Sequence, residues 1–124
     1  MPSSSYIIPG APITSTNSKQ LLKFGDRVKL VPSKQARAYQ EAALWHLKGQ
    51  RRGAPTVDEP CEVRLDVYRE RNAGDVDNYP KAIFDALQAA GIIKNDNLIK
   101  RMDVRILKDK ERPRVEILIA WPYN

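Results

Sequence analysis

Asp75 and Asp77 stand two positions apart in the stretch GDVDNYPKAIFDALQAAGIIKND. Lys81 follows Asp77 by four, Asp85 follows Lys81 by four, and Asp96 closes the stretch. In an extended chain, side chains two apart share a face. Asp75 and Asp77 would then point the same way and repel each other in water. Such a pair is tolerated where a cation neutralises it, and hard carboxylate oxygens suit Mg²⁺ or Mn²⁺. On a helix, positions four apart are neighbours. Asp77, Lys81 and Asp85 would therefore share a polar face roughly opposite Ile83, Leu87 and Ala90.

Structural roles compete with this reading. Asp77 stands where a helix begins, and Asp is a favoured N-cap. A cap uses one carboxylate oxygen and leaves the other free, so both roles are compatible. Lys81 and Asp85 could form an exposed ion pair worth about 0.3–0.5 kcal/mol. Asp96 must be brought in by the fold. From Asp77 to Gly91 a helix rises about 20 Å at ~1.5 Å per residue, and the five residues beyond Gly91 return about 17 Å when fully extended. Asp96 reaches the start of that helix only if the chain doubles back along it.

The elements that must position these residues follow from periodicity. YIIPGAPITS has strand residues, but Pro9 and Pro12 restrict it to a sheet edge or an irregular segment. QLLKFGDRVKLV reads as a hairpin about Gly25-Asp26, and it carries Lys23, Arg27 and Lys29 just after Lys19. A helix is expected after Ser33 as N-cap, with Gly49 as its stop and Ala36, Tyr39, Ala43 and Leu47 as its buried stripe. GQRRGAPTVDEP reads as a loop holding Arg51 and Arg52. In CEVRLDVYRE, Cys61, Val63, Leu65 and Val67 alternate with Glu62, Arg64, Asp66 and Tyr68, the pattern of a half-buried strand. A second helix covers about 78–90 and stops at Gly91. IKRMDVRILK and RPRVEILIAW read as two strands, joined as a hairpin through DKERP. The expected fold class is α+β: a small mixed β-sheet with two helices, in the order β, hairpin, α, β, α, β, β, forming a single domain over 1–124.

Composition bounds the function. With 42% hydrophobic and 29% charged residues, the chain falls in the ordinary soluble globular class. No apolar run approaches the ~20 residues of a membrane span. MPSSSYIIPG lacks the basic and apolar regions of a secretory signal, so an intracellular protein is expected. Cys61 is the one cysteine, which excludes an internal disulfide; among apolar neighbours it reads as a core thiol. His46, the one histidine, reads as a partly solvated side chain and argues against a histidine-dependent nuclease. The net charge is +6, with nine Lys/Arg against four acids in residues 1–60 and twelve against eleven in 61–124. A basic chain with its acids gathered in one part suggests a polyanion-binding surface around a carboxylate site.

Taken together, the stretch from Gly74 to Asp96 resembles the signature of the RusA family of Holliday junction resolvases. It has Asp-x-Asp-Asn, a Lys four residues after the second Asp, then Asp-Ala-Leu, a Gly and a further Asp. TNSKQLL and LVPSKQARAYQE are similar to the phage-type members, so the resemblance covers most of the chain. It implies a metal-dependent endodeoxyribonuclease that resolves junctions by paired nicking during recombination and repair. The implied metal ligands are Asp75, Asp77 and Asp96, with Mg²⁺, or Mn²⁺, as cofactor. Lys81 takes the place of the catalytic lysine, and Asn78 and Asp85 fall at supporting positions. RERNAGDVDN has fewer arginines than some members, which shifts the expected DNA contacts towards Lys19, Lys23, Arg27 and Lys29, with Arg51 and Arg52 as further candidates.

The implied mechanism fits these residue types. Carboxylate-held divalent metal activates water and offsets phosphate charge, and a fixed lysine stabilises the charge that develops. Basic side chains bind phosphates and read shape more than sequence. Paired nicking suggests a two-fold homodimer. The implied partner is four-way or other branched DNA, with no membrane, in the cytoplasm of a bacterial or phage-infected cell. Competing readings are a nuclease for other branched or flapped DNA, a non-catalytic DNA-binding module, and a structural protein whose acids merely cap and solvate a helix.

Overall fold

In the computed structural model, which describes residues 2–11, 19–24, 27–32, 34–70 and 79–124, the elements follow the expected order. They are β1 (Ser3–Pro9), β2 (Lys19–Phe24), β3 (Arg27–Pro32), α1 (Lys34–Arg51), β4 (Cys61–Arg69), α2 (Tyr79–Ala89), β5 (Ile99–Lys108) and β6 (Arg114–Ala120). A short 3₁₀ turn, Asp96–Leu98, precedes β5. The fold is α+β, with a four-stranded mixed sheet ordered β1-β6-β4-β5 and a separate β2-β3 pair. No described helix is long and apolar enough to cross a membrane.

β4 organises the sheet. Its Cys61, Val63, Leu65 and Val67 are fully buried, as the alternation requires. They meet Val115, Ile117 and Ile119 of β6 and Tyr6 and Ile8 of β1 in one core. Burial pushes the Cys61 thiol pKa up, away from the reactive thiolate, in keeping with a core role. Both helices cover this face: Ala43 and Leu47 of α1 and Ile83, Ala86 and Leu87 of α2 enter the same core. The opposite face, carrying Arg64, Asp66 and Leu118, is left open among the described residues.

Three local expectations are corrected. β5 and β6 do not form a hairpin; β4 lies between them, parallel to β5 and antiparallel to β6. Parallel pairing needs a crossover, and α2 supplies it, leaving β5 on the far side of β4. The link from β5 to β6 then crosses the end of β4, where Asp109 N–H donates to Arg69 O at 2.8 Å. The second correction is that α1 does not stop at Gly49 but runs on to Arg51. The cost of a helical glycine, about 1 kcal/mol, is offset by the next two side chains. Gln50 Oε1 accepts Ile7 N–H at 2.8 Å, and its amide donates to Ile7 O at 2.6 Å. That pairing also blunts the open edge of β1. The third is that Arg51 therefore belongs to the helix rather than to the following loop. Ser33, expected as N-cap, lies outside the described residues.

β2 and β3 pair with Phe24 opposite Arg27, which leaves two residues between them. Those two, Gly25 and Asp26, lie outside the described residues. β1 is an edge strand ending at Pro9, as the prolines require.

Candidate active site

α2 is built to show one face. Ile83, Ala86 and Leu87 are buried, as is Ala90 just beyond, while Lys81, Asp85 and Gln88 are exposed. The last three fall at i, i+4 and i+7, one stripe of the helix. Ion pairs among the described residues join Lys94 to Asp58, Arg101 to Asp103, Arg105 to Asp66, and Arg114 to both Asp109 and Glu116. Lys81 and Asp85 take part in none of them. The exposed ion pair that competed with a functional role is not formed.

The chain leaves α2 through Gly91, whose φ of 76° lies in the left-handed region that favours glycine. Gly91 N–H donates to Gln88 O at 3.0 Å and Ile92 N–H to Leu87 O at 3.0 Å, which closes the helix end. Ile92 and Ile93 then plunge into the core. Asn95 caps the 3₁₀ turn, its side chain accepting Asn97 N–H at 3.0 Å. Within that turn the backbone N–H of Asp96 donates to Gln88 Oε1 at 3.1 Å. The chain comes back only to Gln88, in the last turn of α2, and does not return along the helix towards its start. Gln88 stands nine positions after Tyr79, about 14 Å of helix at ~1.5 Å per residue. Asp96 thus stands on the side of α2 that carries Lys81, towards its C-terminal end, with an exposed carboxylate.

Asp75, Asp77 and Asn78 lie outside the described residues. Among the described residues no three His, Cys, Asp or Glu side chains gather. His46 is exposed on α1.

Of the two arginines assigned to the loop, Arg51 is half-buried and tied inward. Its guanidinium donates to Ala54 O at 2.8 Å, Ala90 O at 3.3 Å and Thr56 Oγ1 at 3.3 Å. Thr56 in turn donates to Gly91 O at 2.8 Å. A Cβ on Gly91 would sit 2.9 Å from Arg51 Nη1, so this glycine also makes room for the clamp. Arg52 is exposed, its Nε donating only to Gly49 O at 3.0 Å. Lys19 and Lys23 lie on β2, Arg27 and Lys29 on β3.

The family model described as Endodeoxyribonuclease RusA matches residues 9–120. The chain belongs to the RusA family. It is also 32% identical over 82 residues to the Crossover junction endodeoxyribonuclease RusA of Aquifex aeolicus (strain VF5). That stretch covers 65% of this chain and 63% of the relative, just under two thirds of the relative's length.

Gln88 escaped the sequence reading. A glutamine seven residues after Lys81 and three after Asp85 was visible as a member of the polar stripe. Its partner was not, because the bond to Asp96 exists only once the chain has turned at Gly91.

Proposed function

We propose that this RusA family member is a divalent-metal-dependent endodeoxyribonuclease that resolves four-way DNA junctions by paired nicking in recombination and repair. The observation that carries the reading is the state of α2: Lys81, unpaired among the described residues, shares a stripe with the side chain that holds Asp96. Asp75, Asp77 and Asp96 would hold Mg²⁺, with Mn²⁺ an alternative. An all-carboxylate, hard-oxygen donor set fits such an ion, and the Asp96 carboxylate is exposed and in no ion pair among the described residues. When bound, the ion supplies a more acidic water and offsets charge on the phosphate. Lys81 orients the scissile phosphate and faces the charge that develops on it. Asn78 and Asp85 support this arrangement from the same helix and its approach.

Lys19, Lys23, Arg27 and Lys29 on the hairpin, together with Arg52, bind DNA arms through phosphates. Arg51 is assigned to the clamp between α1 and the end of α2 instead. Two nicks of related polarity call for two copies about a two-fold axis, hence a homodimer. The single domain of residues 1–124 acts in the cytoplasm.

The deciding measurement is cleavage of a synthetic four-way junction beside a linear duplex of equal length, with and without Mg²⁺. Cleavage of the junction alone, in symmetric pairs and only with the ion, is expected. Preferential cutting of flaps would move the substrate to another branched DNA. Metal-independent binding without any cleavage would leave a DNA-binding module.

A further inference from the structure

Trp45 sits on the outward face of α1 with 65% of its surface exposed, the most exposed large hydrophobic side chain described. It has company of one kind. Lys34, Arg37, Glu41, Trp45 and Lys48 fall within an arc of about 80° when the helix is viewed down its axis; Arg52 follows one residue past the helix end, and all six are exposed. Four of these are cations and one is an acid. None of the four cations enters an ion pair among the described residues. Lys48 Nζ lies 5.6 Å from the Trp45 ring centroid, a cation–π contact that steadies the indole without covering it.

The other broad surface of the molecule differs. On the open face of the sheet Arg105 is bound to Asp66, Arg114 to Glu116 and Arg101 to Asp103, so cations and acids cancel. The basic excess of the described residues is thus divided between the helix layer and the β2-β3 hairpin. α1 and α2 lie side by side in that layer, tied by Gln40 Nε2 donating to Ala82 O at 3.0 Å and by Arg51 to Ala90 O. Packed helices run about 8–10 Å apart, so α1 is the immediate neighbour of the helix that carries Lys81.

We infer that the outward face of α1 is a second nucleic-acid site, in which Trp45 stacks on an unstacked base while Lys34, Arg37, Lys48 and Arg52 hold the flanking phosphates. The inference rests on the proposed DNA substrate. An aromatic plane among unpaired cations is the arrangement that binds single-stranded or splayed nucleic acid, where every base offers a π-face. A fully stacked duplex offers phosphates but no free base, so the site favours the branch point over an arm. Charge balance makes the open sheet face the poorer surface for a polyanion.

The test uses the full chain without divalent cation, so that nothing is cut. Tryptophan emission is titrated with a four-way junction, an oligothymidylate and a blunt linear duplex, for the wild type and for Trp45→Phe, which retains only Trp121. Quenching by the junction and the oligothymidylate is expected, weaker with duplex and absent in Trp45→Phe. Trp45→Ala should bind the junction about 10-fold more weakly, the loss expected for one stacked base. Wild type that binds and cuts junctions with unaltered emission, and Trp45→Ala of full affinity, would overturn this site while leaving the proposed function intact. An emission change that follows protein concentration without DNA would overturn it in favour of a contact between copies. No binding of any DNA by the wild type would overturn both readings.

Discussion

Gln88 Oε1 accepts the backbone N–H of Asp96 at 3.1 Å, and Gln88 lies on the same stripe of α2 as Lys81 and Asp85. The bond ties the returning chain to the helix face that carries the lysine. Gln88 acts here through Asp96, as a positioning residue. Gln88→Ala should therefore raise the Mg²⁺ concentration needed for half-maximal cleavage by about 10-fold, the loss typical of a ligand's supporting partner. Gln88 is exposed, so the melting temperature should shift little. An unchanged Mg²⁺ dependence would show that the Asn95 cap alone fixes Asp96.

Asp75→Asn, Asp77→Asn and Asp96→Asn should each abolish junction cleavage in Mg²⁺ and leave junction binding intact or slightly tighter. Each removes a metal-binding charge and no phosphate contact. The position of Asp96, about 14 Å along α2 from Tyr79, adds a sharper expectation. A site completed by the Asp96 of a second subunit would be rebuilt once in a mixed dimer of Asp77→Asn and Asp96→Asn chains. Such mixed dimers should regain nicking of one strand. Inactivity of the mixture, with dimer exchange verified, would place all three carboxylates within one subunit.

Lys81 is exposed, and no ion pair among the described residues engages it. Lys81→Ala should slow cleavage by about 10²-fold or more, the usual loss of a preorganised electrostatic donor, with stability within ~0.5 kcal/mol of wild type. Near-normal cleavage would return Lys81 to ordinary surface charge.

Arg51→Ala should behave in the opposite way. The guanidinium ties the end of α1 to Ala54 and to Ala90 at the end of α2. Removing it strands acceptors in a half-buried site, at a cost of about 1–3 kcal/mol. Chemical denaturation should show that loss, while the salt dependence of junction binding stays unchanged. A flatter salt slope with unaltered stability would make Arg51 a DNA contact after all.

What the sequence made legible depended on range. Period-two burial marked β4 because Cys61, Val63, Leu65 and Val67 must all enter the same core. Four-residue spacing placed Lys81 and Asp85 on one face of α2 for the same local reason. Pairing between strands is not local: nothing in β5 or β6 states that β4 lies between them, because the α2 crossover decides it. Glycine misled once and guided once. Gly49 is carried through α1 by the docking of Gln50 on Ile7, a contact 43 residues distant in the chain. Gly91 does end a helix, since its positive φ and the approach of Arg51 both require the missing side chain.

The β2-β3 hairpin carries the last prediction. Among the described residues its strands pair only with each other, with Lys23 opposite Val28 and Lys29 opposite Leu22, apart from the four-stranded sheet. An isolated two-stranded hairpin is marginally stable in water, so an arm of DNA bound along it would help to hold it in place. In the proposed function Lys23, Arg27 and Lys29 supply phosphate contacts there. Each such contact contributes roughly 0.9 to the slope of log affinity against log salt concentration. Replacing all three by Gln should flatten that slope by about 2–3 for junction and duplex alike, because phosphates carry no shape or sequence information of their own. Cleavage at saturating junction should stay near wild type, since none of the three belongs to the proposed metal site. An unaltered slope would move the phosphate contacts to α1, where Lys48 lies over Trp45, and to Arg52 just past its end.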